Sequence, residues 1–287
     1  MKMQLRMILL TVIGLLWMSS AQAEILYKAK FGDQTWWILG TIHVGEGEDM
    51  YLSERSIEAF LNSDKVWMEL TPEEMERAAE VMLGSGVRSS NFFPQNLEEE
   101  TWAALQQQLL AVGIPPMQIT ALEPWLLELM LIMQIAALEG FSPELGSESQ
   151  LLAVAMGMQG ELLGLETAQD QIDALMDAAV GTDEEQVVRL LEQLDKGVEQ
   201  LHEMKTYWVN GDLDSLMSIL VNDLDEAQME AVLDQRNINW METLSPYFGQ
   251  SSGTYFIAVG AGHLGGDTGL IPAFSAAGAE MTNYSSK

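Results

Sequence analysis

The chain has 287 residues, no cysteine, and 43 acidic against 13 basic residues, for a formal net charge of −30 at pH 7. Such a surface repels nucleic acid phosphates and anionic lipid headgroups, so neither is expected as a partner, while divalent cations and basic peptides are attracted. Without cysteine there are no disulfides and no thiolate metal sites, and any metal centre has to use imidazole and carboxylate.

Residues 1–6 are short and basic, 7–18 are apolar, and Ser19-Ser20-Ala21-Gln22-Ala23 ends in an A-x-A pattern. This predicts a secretory signal peptide over residues 1–23, cleaved after Ala23. The apolar run falls short of the roughly 20 residues that span a bilayer. The expectation is a periplasmic or secreted protein with no stable membrane span, in which residues 24–287 make a single domain.

Two strands are expected over residues 25–31 and 35–39, joined by a turn at Gly32-Asp33. The second leads into Gly40-Thr41-Ile42-His43, an acidic loop (45–49) and a helix over 53–61. Residues 65–70 (KVWMEL) read as a strand carrying Glu69. Thr71-Pro72-Glu73-Glu74 then supplies an N-cap, a proline at the first helical position and a capping acid. The middle reads as helical over 97–112, 123–138 and 148–156. Residues 125–138 are very apolar but interrupted by Glu128 and Gln134, and too short for a span, which predicts a buried core helix. A short strand over 161–165 ends in Gly164-Leu165-Glu166, and Thr167 with Asp170 opens another helix. Helices follow over 184–209, 213–220 and 226–247. The chain closes with a strand over 254–259, Gly260-Ala261-Gly262-His263, a short helix near 270–277 and a strand over 280–284.

The three histidines are unevenly placed. His202 lies in a polar helical run and reads as solvated, whereas His43 and His263 each follow a strand through a GxxH turn. Four strand ends therefore carry a candidate ligand or acid–base group: His43, Glu69, Glu166 and His263. If those strands run parallel in one sheet, all four groups meet at its carboxyl edge, where open α/β sheets bind ligands. Two imidazoles and a carboxylate leave open positions on a divalent ion, and Glu69 is the preferred third group, as ligand or as base toward a bound water. Glu166 reads equally well as a site group or as an acid favoured by the dipole of the helix that follows. Arg236-Asn237 is open between a carboxylate or oxyanion clamp and a helix-surface ion pair.

Gly260-Ala261-Gly262-His263-Leu264-Gly265 also fits the dinucleotide pattern GxGxxG, with Glu280 twenty residues after the first glycine. Glu280, however, opens the next strand and no third strand follows, so that reading is set aside. No GxSxG, P-loop or HExxH occurs.

These segments together resemble the TraB/PrgY/GumN family, near its GumN-like bacterial branch. The resemblance rests on Leu39-Gly40-Thr41-Ile42-His43-Val44, Val66-Trp67-Met68-Glu69 and Gly164-Leu165-Glu166-Thr167. It extends through Gly211-Asp212-Leu213-Asp214, Arg236-Asn237 with Trp240, and Ala258-Val259-Gly260-Ala261-Gly262-His263-Leu264. It implies an α/β fold of the kind shared with erythromycin-esterase-like and haem-binding ChaN-like proteins: a central mixed, largely parallel sheet with a large helical middle region. It also links the chain to Tiki proteins, metal-dependent proteases, which would make His43, His263 and Glu69 metal ligands. Glu69, Arg236 and Asn237 would then be the catalytic and supporting groups, and Mn²⁺, Co²⁺ or Zn²⁺ the cofactor. The chain departs from the family pattern in two places: Gly146-Ser147-Glu148 stands where relatives often read Gly-Val-Asp, and Gln159-Gly160-Glu161-Leu162-Leu163 replaces Gly-Lys-Pro-Val.

The leading expectation is an exported metal-dependent hydrolase acting on a peptide or other small substrate. The alternatives are a non-catalytic binding protein that sequesters a peptide, metal or haem in the same crevice, and a metal-free esterase with a histidine base.

Overall fold

A computed structural model of the protein describes residues 24–90, 93–250 and 252–285, so the predicted signal peptide lies outside the described residues. Six strands form one sheet: β1 (Ile25–Phe31), β2 (Gln34–Thr41), β3 (Lys65–Met68), β4 (Glu161–Gly164), β5 (Gly253–Gly260) and β6 (Glu280–Asn283). Their order across the sheet is β4-β3-β5-β2-β1-β6. β1 and β2 make the expected antiparallel hairpin, with Phe31 opposite Gln34. Gly32 in its turn sits at φ 60, a conformation open to glycine at little cost.

The pairs β2–β5, β5–β3 and β3–β4 are all parallel. The fold is thus α/β with a mixed, mostly parallel sheet, as the sequence leads one to expect. The central strand β5 is buried from Tyr255 to Val259 without the alternation of a half-exposed strand, as suits a parallel strand covered on both faces. Aromatic rings cross the sheet here: Trp36 stacks on Tyr255 at 4.5 Å and on Trp67 at 5.4 Å between centroids.

Between and after the strands come α1 (Glu54–Leu61), α2 (Pro72–Gly86), α3 (Glu99–Ala111), α4 (Pro124–Leu138), α5 (Ser147–Val154), α6 (Ala168–Ala178) and α7 (Asp183–Val209). They are followed by α8 (Leu213–Asp223), α9 (Glu226–Met229), α10 (Gln235–Leu244) and α11 (Leu270–Ala276). Thr71 and Thr167 cap α2 and α6 through their hydroxyls, as their positions predict. A second apolar core, separate from that of the sheet, joins α3, α4, α6 and α7 through residues such as Leu105, Trp125, Ile172 and Leu190.

Two expectations change. The helix expected over 226–247 is interrupted by a π-turn at Glu230–Asp234, which joins α9 to α10. Such one-residue widenings shift the phase of the following helix and occur often at functional sites. α4 is not buried all round: Ile132 is 49% and Leu138 60% exposed. One face packs into the helical core, while among the described residues nothing covers the opposite face. No helix among the described residues is long and apolar enough to cross a membrane.

Candidate functional site at the carboxyl edge of the sheet

Because β4, β3, β5 and β2 lie side by side and parallel, the residues just beyond their ends stand in a row: Glu166, Glu69, His263, His43. Backbone hydrogen bonds extend the β3–β4 alignment past the strands, with the Glu166 amide donating to the Glu69 carbonyl at 3.1 Å. The condition on which the sequence argument rested, parallel pairing, is met.

At the centre is Glu69. One carboxylate oxygen accepts from the Gly260 amide at 2.7 Å, and the other from Arg236 Nη2 at 2.7 Å and Gln171 Nε2 at 3.1 Å. The contact is close: a Cβ on Gly260 would stand 3.2 Å from the Glu69 oxygen and press on the carboxylate. Burial by itself pushes this carboxyl upward, but the charges of His263, Arg236 and His43 and the Gly260 amide outweigh it and bring the pKa to about 2. With His263 neutral, Arg236, the protonated His43 and the amide are the lasting causes.

Arg236 is the hub. Its Nε and Nη2 grip Glu166 at 3.0 and 2.6 Å, Nη2 also reaches Glu69, and Nη1 donates to the Val232 carbonyl of the π-turn at 3.0 Å. The guanidinium lies over the Trp240 ring, whose Nε1 donates to Glu166 at 3.1 Å. Two carboxylates share one cation, and burial together with the nearby Glu69 charge holds Glu166 above the usual carboxylate range. Arg236 is thus part of a buried ion-pair network with the chain's own carboxylates and does not lie on a helix surface.

His263 is buried, 4.3 Å from Trp240 between ring centroids. Its Nδ1 is 2.8 Å from Asn237 Oδ1, while Nε2 is 3.0 Å from Arg236 Nη1. Asn237 Oδ1 can only accept and the guanidinium can only donate, so the hydrogen resides on Nδ1 and Nε2 carries a lone pair. Burial, reinforced by Arg236 and His43 against the pull of Glu69, takes its pKa down to about 3. His43 is different: its side chain is 72% exposed, with Nδ1 at 3.3 Å from Glu148. The Glu148 charge and hydrogen bond raise its pKa to about 9. Glu148 in turn accepts from Thr41 Oγ1 at 2.6 Å. Gly146 passes so close to the His43 carbonyl, 2.2 Å from where a Cβ would lie, that no other residue fits there.

All the predicted site residues therefore fall within one region, and three groups join them that the residue-by-residue reading gave no role. Glu148 was visible only as the acid that replaces aspartate. Gln171 bridges Glu69 and Glu166, donating to Glu166 at 3.1 Å. Trp240 was part of a motif without a function. Gln171 follows Glu166 by five residues in a capped helix, and nothing in that spacing announces its contact with Glu69.

The donor chemistry suits a divalent ion: Nε2 of His263 and the nearer oxygen of Glu69 are 4.0 Å apart, and Asn237 fixes the ring as metal-bound histidines are commonly fixed. As placed, however, no three His, Asp or Glu groups among the described residues enclose a common point. Arg236 Nη1 takes the Nε2 lone pair that an ion would need.

These ionisations predict a pH profile for folding. Unfolded His263 titrates near 6.5 and the folded ring near 3, so its contribution is full above pH 6.5 and is lost as pH falls toward 3. Glu69 adds to this loss between about 4.5 and 2. The His43–Glu148 pair acts oppositely, contributing below 6.5 and fading as pH rises through 9, weakly because the ring faces solvent. Thermal melts across pH should peak near pH 6.5, and His263→Gln should flatten the limb between 6.5 and 4.5. A limb unchanged in that variant would remove His263 as its source.

The chain is 23% identical over 243 residues to the uncharacterized protein YbaP of Escherichia coli K12, covering 83% of this chain and 87% of that protein. It is likewise 23% identical over 237 residues to YbaP of Shigella flexneri, covering 81% and 85%. No solved structure gives a significant match. The model of the TraB/PrgY/gumN family matches residues 25–283, a span that contains every strand and every group of the site, and the chain belongs to that family.

Proposed function

We propose that the chain is an exported hydrolase working in the periplasm or outside the cell, with peptides as its substrate class and a divalent ion as its cofactor. The observation that supports this is His263: buried, neutral, with its tautomer set by Asn237 and its Nε2 lone pair 4.0 Å from an ionised Glu69. His43, His263 and Glu69 would hold the ion, of the Mn²⁺, Co²⁺ or Zn²⁺ kind, which when bound supplies Lewis-acid chemistry. Glu69 stays ionised at neutral pH, and it either ligates the ion or takes a proton from an attacking water. Arg236 offers its charge to the oxygen that becomes negative as the carbonyl is attacked. Where no ion is held, His43, backed by Glu148 and open to solvent, is instead the group that carries a proton to the leaving group.

One observation favours a metal-free form of the same reaction: Arg236 already donates to Nε2 of His263 at 3.0 Å, placing a fixed cation where the ion would act. Metal analysis and a peptide-library digest of the purified protein separate the two. Stoichiometric metal, lost together with cleavage in His43→Ala, supports the metal-dependent form. Cleavage that survives chelation but not His43→Ala supports the metal-free form. A protein that cuts no peptide with any of the three ions is not a peptidase, and the crevice then serves binding alone.

A further inference from the structure

The helical layer holds a second concave surface, distinct from the row of strand-end groups. α7 is its floor, and α4 and α8 are its walls. Two cavities of about 180 and about 240 Å³ lie end to end along it, sharing Glu128, Ile132, Gln193 and Leu224. The α7 residues on the floor run from Gln186 to Met204, so at 1.5 Å per residue the trough is about 27 Å long. Leu190, Leu194 and Leu224 face it, as does Ile132 from the uncovered side of α4. The lining is mostly apolar, and helical on every side.

At its centre is an acid. Glu128 makes no hydrogen bond or salt bridge with another described residue, and burial among apolar side chains holds its carboxyl above the usual range. Arg189, on the same cavity, is committed to the Val180 carbonyl, and Asp223 on the far wall adds a second carboxylate, held by Gln200.

We propose that this trough docks a basic amphipathic helix of a partner protein. A helix fits because it satisfies its own backbone, whereas no strand edge lines the trough to pair with an extended segment. The helix is basic because the trough sets Glu128 and Asp223 against a single cation, Arg189, and the whole chain carries a net charge of −30. A second copy of this chain would bring Glu128 and Asp223 against an equally acidic surface, and a fatty-acid carboxylate would meet Glu128 directly. Val232 borders the trough, so a docked helix lies against the turn whose carbonyl holds Arg236. Docking is read by binding and does not depend on hydrolysis.

The test is calorimetric titration, at physiological salt, with a leucine–lysine peptide of about 18 residues that has one apolar helical face, the length the floor accommodates. Two peptides serve as controls: a scramble of the same composition without an apolar face, and a version with glutamate for lysine. The amphipathic basic peptide should bind best. Ile132→Glu should weaken it by at least about tenfold, Glu128→Gln, which keeps the shape, by several-fold, and the distant exposed change Met117→Glu not at all. Circular dichroism establishes that each variant is folded. Equal binding of the scramble, or unchanged binding in both Ile132→Glu and Glu128→Gln, overturns the proposal. So does a protein that elutes as a dimer and becomes monomeric in Ile132→Glu, because the occupant is then a second copy.

Discussion

Arg236→Ala should be the most destabilising single change in the site, costing about 3–5 kcal/mol in urea unfolding, the range for removing one partner of a buried ion pair. The guanidinium is 13% exposed, and its two carboxylates, Glu69 and Glu166, are 9% and 5% exposed. Truncation leaves two neighbouring buried carboxylates without the cation they share, and strips Nε2 of His263 of its donor. The loss therefore has a signature beyond its size: protonating a carboxylate relieves the repulsion, so the deficit relative to the natural protein should shrink as pH falls below about 5. Arg236→Lys should recover only part of it, since an ammonium cannot grip Glu166 with two parallel hydrogen bonds while also reaching Glu69. A cost below about 1 kcal/mol, the value of an exposed pair, would show that the three side chains are not locked together.

His263→Ala should abolish most of the proposed activity, by at least about 10²-fold in kcat/KM, because it removes a proposed ligand of the ion, a larger loss than the roughly 10–100-fold of losing a residue that orients a ligand. The more informative partner is Asn237→Ala. It removes the acceptor of the Nδ1 hydrogen, so Arg236 alone sets the tautomer and the ring loses the bond that fixes its orientation. A loss of about 10–100-fold is expected, together with weaker metal binding if an ion is used. Asn237 is 1% exposed, so the same change costs stability, and the readout has to be kcat/KM measured on folded protein. Full activity in Asn237→Ala would mean that the bond fixing His263 plays no part.

The strand ends were legible in the sequence because each is a local event: an apolar run, a glycine that lets the chain turn, then a chemically distinctive side chain. Four such events predict a site if the strands are parallel, and helical connections between strands favour parallel pairing. What holds the site together was not legible. Arg236 lies 70 residues from Glu166 and 167 from Glu69, and sequence pattern does not encode which of 43 acids a buried arginine will reach. The π-turn before it escaped for a related reason, since one extra residue hardly disturbs an amphipathic pattern while rotating everything after it. α4 misled in the opposite direction, because its all-round apolar composition reads as burial whether the covering surface belongs to this chain or to another.

The order of the strands has a consequence for size. Glu166, Glu69, His263 and His43 follow four adjacent strands, and with neighbouring strands about 4.8 Å apart the row is about 14 Å from end to end. An amide or ester bond occupies one interval of that row. A molecule touching both His43 and Glu166 has to be about as long as four residues of extended peptide, at roughly 3.4 Å each. The sheet thus acts as a ruler laid across the crevice, with the four groups as its marks.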